Sequence, residues 1–256
     1  MLDRWKKRRP QEIDMTLSGH LTELRSRLIK VLAVIALLFV AAMVEINPLI
    51  GILKSRLPAD LYFNSPAEAL WVGIKTAFFA SLFPAIPYIL YQVWKFIEPA
   101  LKRGEKKMAV PFIMGGTFFF YLGVLFCYFF ALPFALTYLV KIGVEMGIRP
   151  QIIFSNYVDF TLKFLFGFGL IFMTPVGLVV LGRAGIVTAA WLSRNRKYAV
   201  VVNSIVAAIL TPTPDVFNML IMMIPLLILY ELGILGIRLV EKKRRSEVKE
   251  AGEAHA

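Results

Sequence analysis

Long apolar stretches are the feature that most limits what this chain can fold into. Six of them can be drawn, and most approach the ~20 residues that a helix needs to cross ~30 Å of hydrocarbon. The chain is 58% hydrophobic, which is too apolar for a water-soluble domain. Alternating polar and apolar segments, the mark of a membrane-spanning β-barrel, are absent. We therefore predict an all-α polytopic membrane protein with six spans: 28–46, 69–94, 108–132, 157–181, 197–210 and 216–237.

Lysine and arginine residues are distributed unevenly between the two sets of loops. The N-terminal segment to Lys30, residues 95–107, residues 182–197 and the tail from Arg238 hold eight, five, four and six of them, 23 of 29 in all. The opposite loops hold only four: Lys54, Arg56, Lys141 and Arg149. Because cationic loops remain on the cytoplasmic side, both termini are predicted to be cytoplasmic. The net charge of +12 is therefore a topology signal that also favours contact with anionic lipid.

The domain organisation follows from these spans. Residues 1–27 form a basic cytoplasmic N-terminus with an amphipathic helix, residues 28–237 a six-helix membrane domain, and residues 238–256 a charged, disordered cytoplasmic tail. The fifth span has only 14 residues and reaches ~21 Å, and Pro225 could break the sixth. Short fifth and sixth helices beside longer ones predict a bent, concave arrangement.

The inventory of reactive residues argues against most enzymes. Cys127 is the only cysteine, and His20 and His255 are the only histidines, so a His/Cys metal cluster is excluded. A phosphate-binding loop of the G-x-x-x-x-G-K-[ST] type is absent, which disfavours ATP hydrolysis. We expect neither a cofactor nor catalysis. Nucleic acid is not an expected partner either, because no aromatic-rich soluble module accompanies the basic residues.

The segment "MTLSGHLTELRSRLI" precedes the first span. Its leucines recur at spacings of four, three and four residues, which predicts a helix with one apolar face. Glu23 and Arg27 are four residues apart on that helix, a supportive pair worth a few tenths of a kcal/mol, about 0.2–0.5. This segment can be explained without a binding role, as an interfacial helix that leads into the first span.

The segment "KFIEPALKRGEKK" places Glu105 among four cations, directly after Gly104. A structural explanation is available, because Pro99 can begin a short helix and Gly104 can end it. Glu105 then lies in the first turn of the third span, where a carboxylate suits the helix dipole. The alternative is that this carboxylate receives cations from another molecule.

Four motifs occur in order between about Leu17 and Arg238: "HLTELRSRL", "YQVWKFIEPAL", "GEKK" and "LTPTPDVFNMLIMMIPLLILYE". In order and spacing they resemble the TatC family, the largest subunit of the twin-arginine protein translocase. The resemblance implies a six-helix receptor in the cytoplasmic membrane that binds signal peptides with consecutive arginines at its cytoplasmic face. It further implies a hetero-oligomer with small single-span subunits of the TatA and TatB kind, exporting folded proteins independently of Sec with the proton-motive force.

The resemblance also implies roles for individual residues. Glu105 matches the acid that contacts the twin arginines, and Phe96 matches an aromatic residue of the same patch. Glu23 matches a second acid facing that patch, with Arg25 in the adjacent motif position. Pro99, in "FIEP", completes the expected signal-peptide-binding set.

Further positions match the family outside that patch. Pro48 matches a proline of the first external loop, and Asp215 the acid of the last external turn. One position differs from the family pattern. The fourth span here has Met173, two residues before a proline, where the family often has Glu or Gln. Thr174 offers only a weaker hydroxyl.

Polar groups on the last two helices could serve as a docking surface for the partner subunits. Asn203 and Ser204 lie on the short fifth helix. Glu231 of the sixth helix could pair with Arg238 two turns away, be protonated, or form a helix–helix hydrogen bond.

Two cations inside spans keep a different function open. Lys75 and Lys163 lie near the external ends of their helices, where they could extend to the interface or face a polar cavity. In a secondary transporter for a small anion they would be ligands, but the internal repeat expected of such transporters is not visible. A purely structural scaffold for other subunits is a third possibility.

Overall fold

The computed structural model of the chain describes residues 17–57, 61–62, 64–98, 109–147, 151–210 and 216–253. Nearly all of these are helical. The helices are α1 (Leu17–Val44), α2 (Ile46–Lys54), α3 (Pro66–Ile97), α4 (Ala109–Phe126), α5 (Leu132–Glu145), α6 (Phe154–Phe172), α7 (Thr174–Arg183), α8 (Ala189–Arg194), α9 (Arg196–Leu210) and α10 (Val216–Glu253). Two short strands, β1 (Leu61–Tyr62) and β2 (Ile152–Ile153), pair in parallel.

Within the described part of the chain, five helical segments are long and apolar enough to cross a bilayer: Leu21–Val44, Pro66–Ile97, Ala109–Glu145, Phe154–Arg183 and Met222–Lys242. The prediction of an all-α polytopic membrane protein is therefore confirmed. The predicted fifth span coincides with α9, which has only 15 residues and is indeed short. A count of six spans stays a prediction.

The third apolar helix continues well past its predicted end at Leu132. A π-helical turn, Cys127–Ala131, joins α4 to α5, and the helical path runs on to Glu145. Pro133 does not end it, because the proline lies in the first turn of α5. In that position its missing N–H removes no α-helical hydrogen bond.

The fourth apolar helix is interrupted, although the sequence predicts one span from 157 to 181. α6 ends at Phe172 and α7 begins at Thr174, with Pro175 in its first turn. The Thr174 hydroxyl donates to the Ile171 carbonyl oxygen at 2.6 Å. This bond satisfies one of the carbonyl groups that the interruption leaves free.

The predictions of a short sixth helix and of a disordered tail do not match the structure. Pro225 lies inside α10, and the helix continues through the predicted boundary at residue 238 to Glu253. In hydrocarbon a broken helix exposes backbone groups that no water can satisfy, so a proline is accommodated within the helix instead. Beyond the membrane the sequence places Glu241 four residues before Arg245, a spacing that supports a helix.

Aromatic side chains fill the core between α3, α4 and α6. Phe120 contacts Phe83 and Phe166 at ring-centroid distances of 5.9 Å each. Two glycines allow this approach: a Cβ at Gly123 would lie 2.6 Å from the carbonyl oxygen of Phe168, and one at Gly169 would lie 2.6 Å from the Phe120 ring. α7, α8 and α10 enclose a second, smaller apolar cluster around Ile234 and Ile237.

α1 packs against α3, which is the one described element with which it makes extensive contact. No residue in the most apolar 18-residue stretch of α1 is buried, and Leu37 and Val44 are 73% and 77% exposed. Within the described residues, the part of the predicted amphipathic helix from Leu17 onward is continuous with the first span. The part of the predicted N-terminal segment before Leu17 lies outside the described residues.

The end of the bundle that contains α2 is closed by a small cap. β1 pairs with β2 through Leu61 opposite Ile152 and Tyr62 opposite Ile153. The Glu68 carboxylate accepts hydrogen bonds from the backbone N–H groups of Asn64 at 2.6 Å and Ser155 at 2.7 Å. The connection before α3 is thereby joined to the connection before α6.

Candidate functional site

A chain of polar contacts joins α1 to α3 at the end of the bundle opposite the cap. The Arg27 Nε donates to Glu23 Oε1 at 3.0 Å, and its Nη2 donates to the same oxygen. Its Nη1 reaches across to Gln92 Oε1 at 3.3 Å, while Gln92 Nε2 donates to the Tyr88 hydroxyl at 2.7 Å. The predicted pairing of Glu23 with Arg27 is confirmed, and the network holds the carboxylate in a fixed position.

A polar cavity of about 270 Å³ adjoins this network. Among the described residues, its lining contains one carboxylate and three cationic side chains, and their summed charge is positive. The Lys95 ammonium lies 5.5 Å from the centroid of the Tyr91 ring. The lining residues are Glu23, Ser26, Arg27, Lys30, Tyr91, Gln92 and Lys95.

The predicted signal-peptide residues differ in where the structure places them. The Glu23 side chain lies in the cavity wall and is 20% exposed. Phe96 is half-buried, one helical turn beyond Gln92 on α3, and Arg25 is exposed on α1 away from the cavity lining. Glu105 and Pro99 lie outside the described residues.

The other family positions are distributed over the molecule. Pro48 is exposed in the first turn of α2, and Asp215 lies outside the described residues. Met173 packs against the cluster of Ile86, Leu90 and Phe120. The apolar residue at the position where this chain differs from the family pattern therefore has apolar neighbours.

Sequence reasoning missed Gln92, although a signal for it was present. Gln92 is a polar residue inside an apolar helix and is only 7% exposed. A buried amide is costly unless it is hydrogen-bonded, so a partner on a neighbouring helix was to be expected. The motif "YQVW" contains this residue, but its partner Arg27 is 65 positions away.

A second missed residue is Asp159, which pairs with Lys75. The Lys75 ammonium donates to both carboxylate oxygens, at 2.9 and 2.8 Å, and the pair ties α3 to α6. Lys75 is therefore compensated within the chain, while Lys163 is exposed on α6. The pairing of Lys75 with Asp159 disfavours the interpretation of the two lysines as ligands of an anion.

Glu231 pairs with a different arginine from the one that the sequence suggested. Arg196 donates to its two carboxylate oxygens at 2.7 and 2.8 Å, which links α9 to α10. Arg238 instead donates to the Ser193 hydroxyl at 3.1 Å. Residues seven apart on one helix are separated by ~10 Å along its axis, whereas α9 lies directly beside Glu231.

Asn203 and Ser204 of α9 are half-buried. The Ser204 hydroxyl donates to the Val200 carbonyl oxygen at 2.8 Å and lies 3.1 Å from the Met223 sulfur. The Asn203 Nδ2 is buried and makes no hydrogen bond to any residue that the structure describes. Beside them α9 exposes apolar side chains, among them Ile205 at 55% and Ile209 at 78%.

Comparisons with known proteins agree with this architecture. The family model described as "Sec-independent protein translocase protein (TatC)" matches residues 19–225. A protein called Sec-independent protein translocase protein TatC from Aquifex aeolicus is 39% identical over 248 residues, which cover 93% of this chain and 100% of the relative. One of the same name from Haemophilus influenzae is 34% identical and covers 88% of this chain and 89% of its own.

The fold is also similar to a solved structure. A crystal structure described as "Twin Arginine Translocase Receptor- TatC in DDM" superimposes with a TM-score of 0.75 at 38% sequence identity. The superposition covers 84% of this chain and 98% of that chain.

Proposed function

This chain belongs to the TatC family of Sec-independent protein translocase proteins, and we propose that it recognises twin-arginine signal peptides at its cytoplasmic face. It is a multi-pass membrane protein. The proposal places it in the cytoplasmic membrane of a bacterium or archaeon with both termini inside, on the strength of the 23 Lys and Arg residues in one set of loops.

The observation that carries the proposal is the cavity between α1 and α3 with Glu23 in its wall. An ionised carboxylate can accept about four hydrogen bonds, so one carboxylate can contact Arg27 and an incoming guanidinium together. Arg27 and Gln92 hold the carboxylate in place. A carboxylate matches the two N–H groups of a guanidinium fork, whereas a lysine ammonium cannot provide that geometry.

The charge balance of the cavity requires a second acid. One carboxylate faces three cations there, so two arginines would be repelled unless another carboxylate joined the site. Glu105 is the residue that we propose for this role, with Phe96 offering an aromatic face to a guanidinium. Pro99 and Arg25 would shape the surrounding surface.

Arginine contacts alone would bind the peptide weakly. Exposed ion pairs contribute ~0–1 kcal/mol each, and charge-assisted hydrogen bonds ~1.5–3 kcal/mol. The apolar stretch of the signal peptide would add affinity by lying along the lipid-facing side of α3, where Phe78 and Val93 are 47% and 41% exposed. The arginine motif then gives specificity, and the apolar contact gives retention.

Charge reversal at either acid tests the receptor role. Glu23→Lys and Glu105→Lys should each lower crosslinking of a twin-arginine signal peptide to residues 95–107 about tenfold, because each removes a charge-assisted contact worth ~1.5 kcal/mol or more. Glu145→Lys, at an exposed acid near the opposite end, is the matched control. A peptide with two lysines in place of the arginines should crosslink poorly to every variant. Unchanged crosslinking in both charge-reversed variants would refute the assignment and leave a structural scaffold as the explanation.

Partner assembly forms the second part of the proposal. The exposed apolar side of α9, with Asn203 and Ser204 beside it, would receive a single-span partner helix, and the Arg196–Glu231 pair would fix α9 against α10. Pro48 and Asp215 would shape the two external turns. The absence of a nucleotide-binding motif leaves the proton-motive force as the proposed energy source for exporting folded cargo.

A further inference from the structure

An apolar crevice of about 340 Å³ lies on the side of the bundle, below α2. Its walls come from α2, α3, α4 and α6, and it is at the end opposite the Glu23 cavity. Ile52 and Leu125 at its edge are 53% and 52% exposed, so it opens on the apolar surface that faces lipid. The lining residues are Leu49, Ile52, Leu53, Thr76, Ala80, Phe83, Tyr121, Val124, Leu125, Tyr128, Leu162 and Leu165.

The crevice has the dimensions of an acyl-chain site. Tyr121 of α4 and Tyr128 of the π-helical turn are seven residues apart along one wall, which corresponds to ~10 Å of helix. The hydroxyls of both tyrosines are occupied by the protein: Tyr121 donates to the Phe83 carbonyl oxygen at 2.9 Å and Tyr128 to that of Ile52 at 3.2 Å. The wall therefore presents a hydrocarbon surface.

Two cations, which we call the rim cations, adjoin residues that line this crevice: Arg56 lies over Tyr128, and Lys54 directly follows Leu53 in the chain. The Arg56 guanidinium carbon is 4.3 Å from the Tyr128 ring centroid and 4.7 Å from that of Phe129. The Lys54 ammonium is 5.5 Å from the Phe154 ring centroid. These are two of the four cations that the sequence places in the loops opposite the basic ones.

The described residues supply no compensating acid for these two cations. Among the residues that the structure describes, no carboxylate forms an ion pair with Arg56 or Lys54, and the Arg56 Nε makes no hydrogen bond. Stacking on two rings fixes the guanidinium plane while leaving its charge unneutralised. A planar guanidinium matches the oxygens of a phosphate group.

We propose that this crevice binds one acyl chain of an anionic phospholipid, whose phosphate lies against Arg56 and Lys54. The apolar walls accept the chain, and the charge at the rim selects an anionic headgroup. The lipid would fill the space beneath α2 and join it to α4. This site is separate from the proposed signal-peptide site and does not depend on it.

Native mass spectrometry of the delipidated full chain in detergent tests the proposal, with phosphatidylglycerol and phosphatidylcholine of identical acyl chains as probes. The wild-type chain should retain one phosphatidylglycerol, with about fivefold preference over phosphatidylcholine, because both lipids carry a phosphate that a guanidinium can contact but the choline cation cancels the net negative charge of the phosphatidylcholine headgroup. Arg56→Gln should abolish the preference but leave phosphatidylcholine retention unchanged. Leu49→Trp and Ala80→Leu, which fill the crevice from α2 and α3, should reduce retention of both lipids.

Lys141→Gln is the matched control, because Lys141 is also one of the four cations but is 70% exposed and lies outside the crevice. It should retain lipid like the wild type. Melting temperatures identify any variant that has not folded. The two crevice-filling substitutions lie on different helices, so one of them still tests the proposal if the other variant does not fold. Equal phosphatidylglycerol retention in wild type, Arg56→Gln and both filled variants would overturn the proposal. Loss of a single-span partner from the filled variants, with lipid retention unchanged, would identify the occupant as a protein helix and would equally overturn it.

Discussion

Gly123→Ala is expected to lower the free energy of unfolding by about 3 kcal/mol, the upper end of the usual cost of overpacking. The added methyl would lie 2.6 Å from the Phe168 carbonyl oxygen and 2.7 Å from the Phe172 Cβ. Backbone cannot move aside as a flexible side chain can, so α4 and α6 would have to separate. The gain in helix propensity, about 1 kcal/mol, is too small to offset this loss.

Gly143→Ala is the matched control for that substitution. It places the same methyl on α5, in the same helical path, where no described atom outside the adjoining residues and turns of that helix lies within 4 Å. We expect it to be neutral or to stabilise by up to about 1 kcal/mol. Unfolding of both variants by denaturant in detergent provides the measurement. Equal stability of the two variants would show that α4 and α6 do not pack as closely as the structure indicates.

Asp159→Asn has the second-largest expected effect, a loss of about 2–3 kcal/mol. Removing one partner of a buried ion pair costs ~3–5 kcal/mol, and the value is reduced here because the Lys75 and Asp159 side chains are 43% and 33% exposed. The substitution leaves the Lys75 ammonium near apolar surroundings without its counter-charge. It should therefore loosen the contact between α3 and α6.

A double substitution separates the loss of the pair from the cost of the stranded charge. Lys75→Met combined with Asp159→Leu should recover most of the stability, because neither charge then remains in the membrane. Lys141→Gln breaks an exposed pair, 3.7 Å long, and should change stability by less than about 0.5 kcal/mol. If the double variant is as unstable as Asp159→Asn, the attraction between Lys75 and Asp159 itself adds to the free energy of unfolding. The pair would then do more than prevent one charge from being left without its counter-charge.

Helix positions were predictable from the sequence, but the effect of proline on them was not. The short α9 agrees with its predicted span to within one residue at its start. Pro225, which the sequence suggested could break the sixth span, lies inside the continuous helix α10. Rules derived from soluble helices overestimate how readily proline ends a helix, because in hydrocarbon the freed carbonyl groups have no water to bind.

The polar contacts divide according to how far apart the partners lie in the sequence. Glu23 and Arg27 could be paired from their spacing alone, since residues four apart share a helix face. Arg27 with Gln92 and Lys75 with Asp159 could not, because their separations of 65 and 84 residues require knowing which helices are neighbours. Apolar periodicity reveals which face of a helix is buried but not against which helix it packs.

The length of α10 sets the position of anything attached to the end of this chain. The 16 helical residues between Ile237 and Glu253 extend ~24 Å at 1.5 Å per residue. A fluorescent protein or affinity tag fused there would be held on a stiff rod at a nearly constant separation from the headgroups. Energy-transfer distances measured from such a fusion would then report on the orientation of the rod rather than on random motion of a tether.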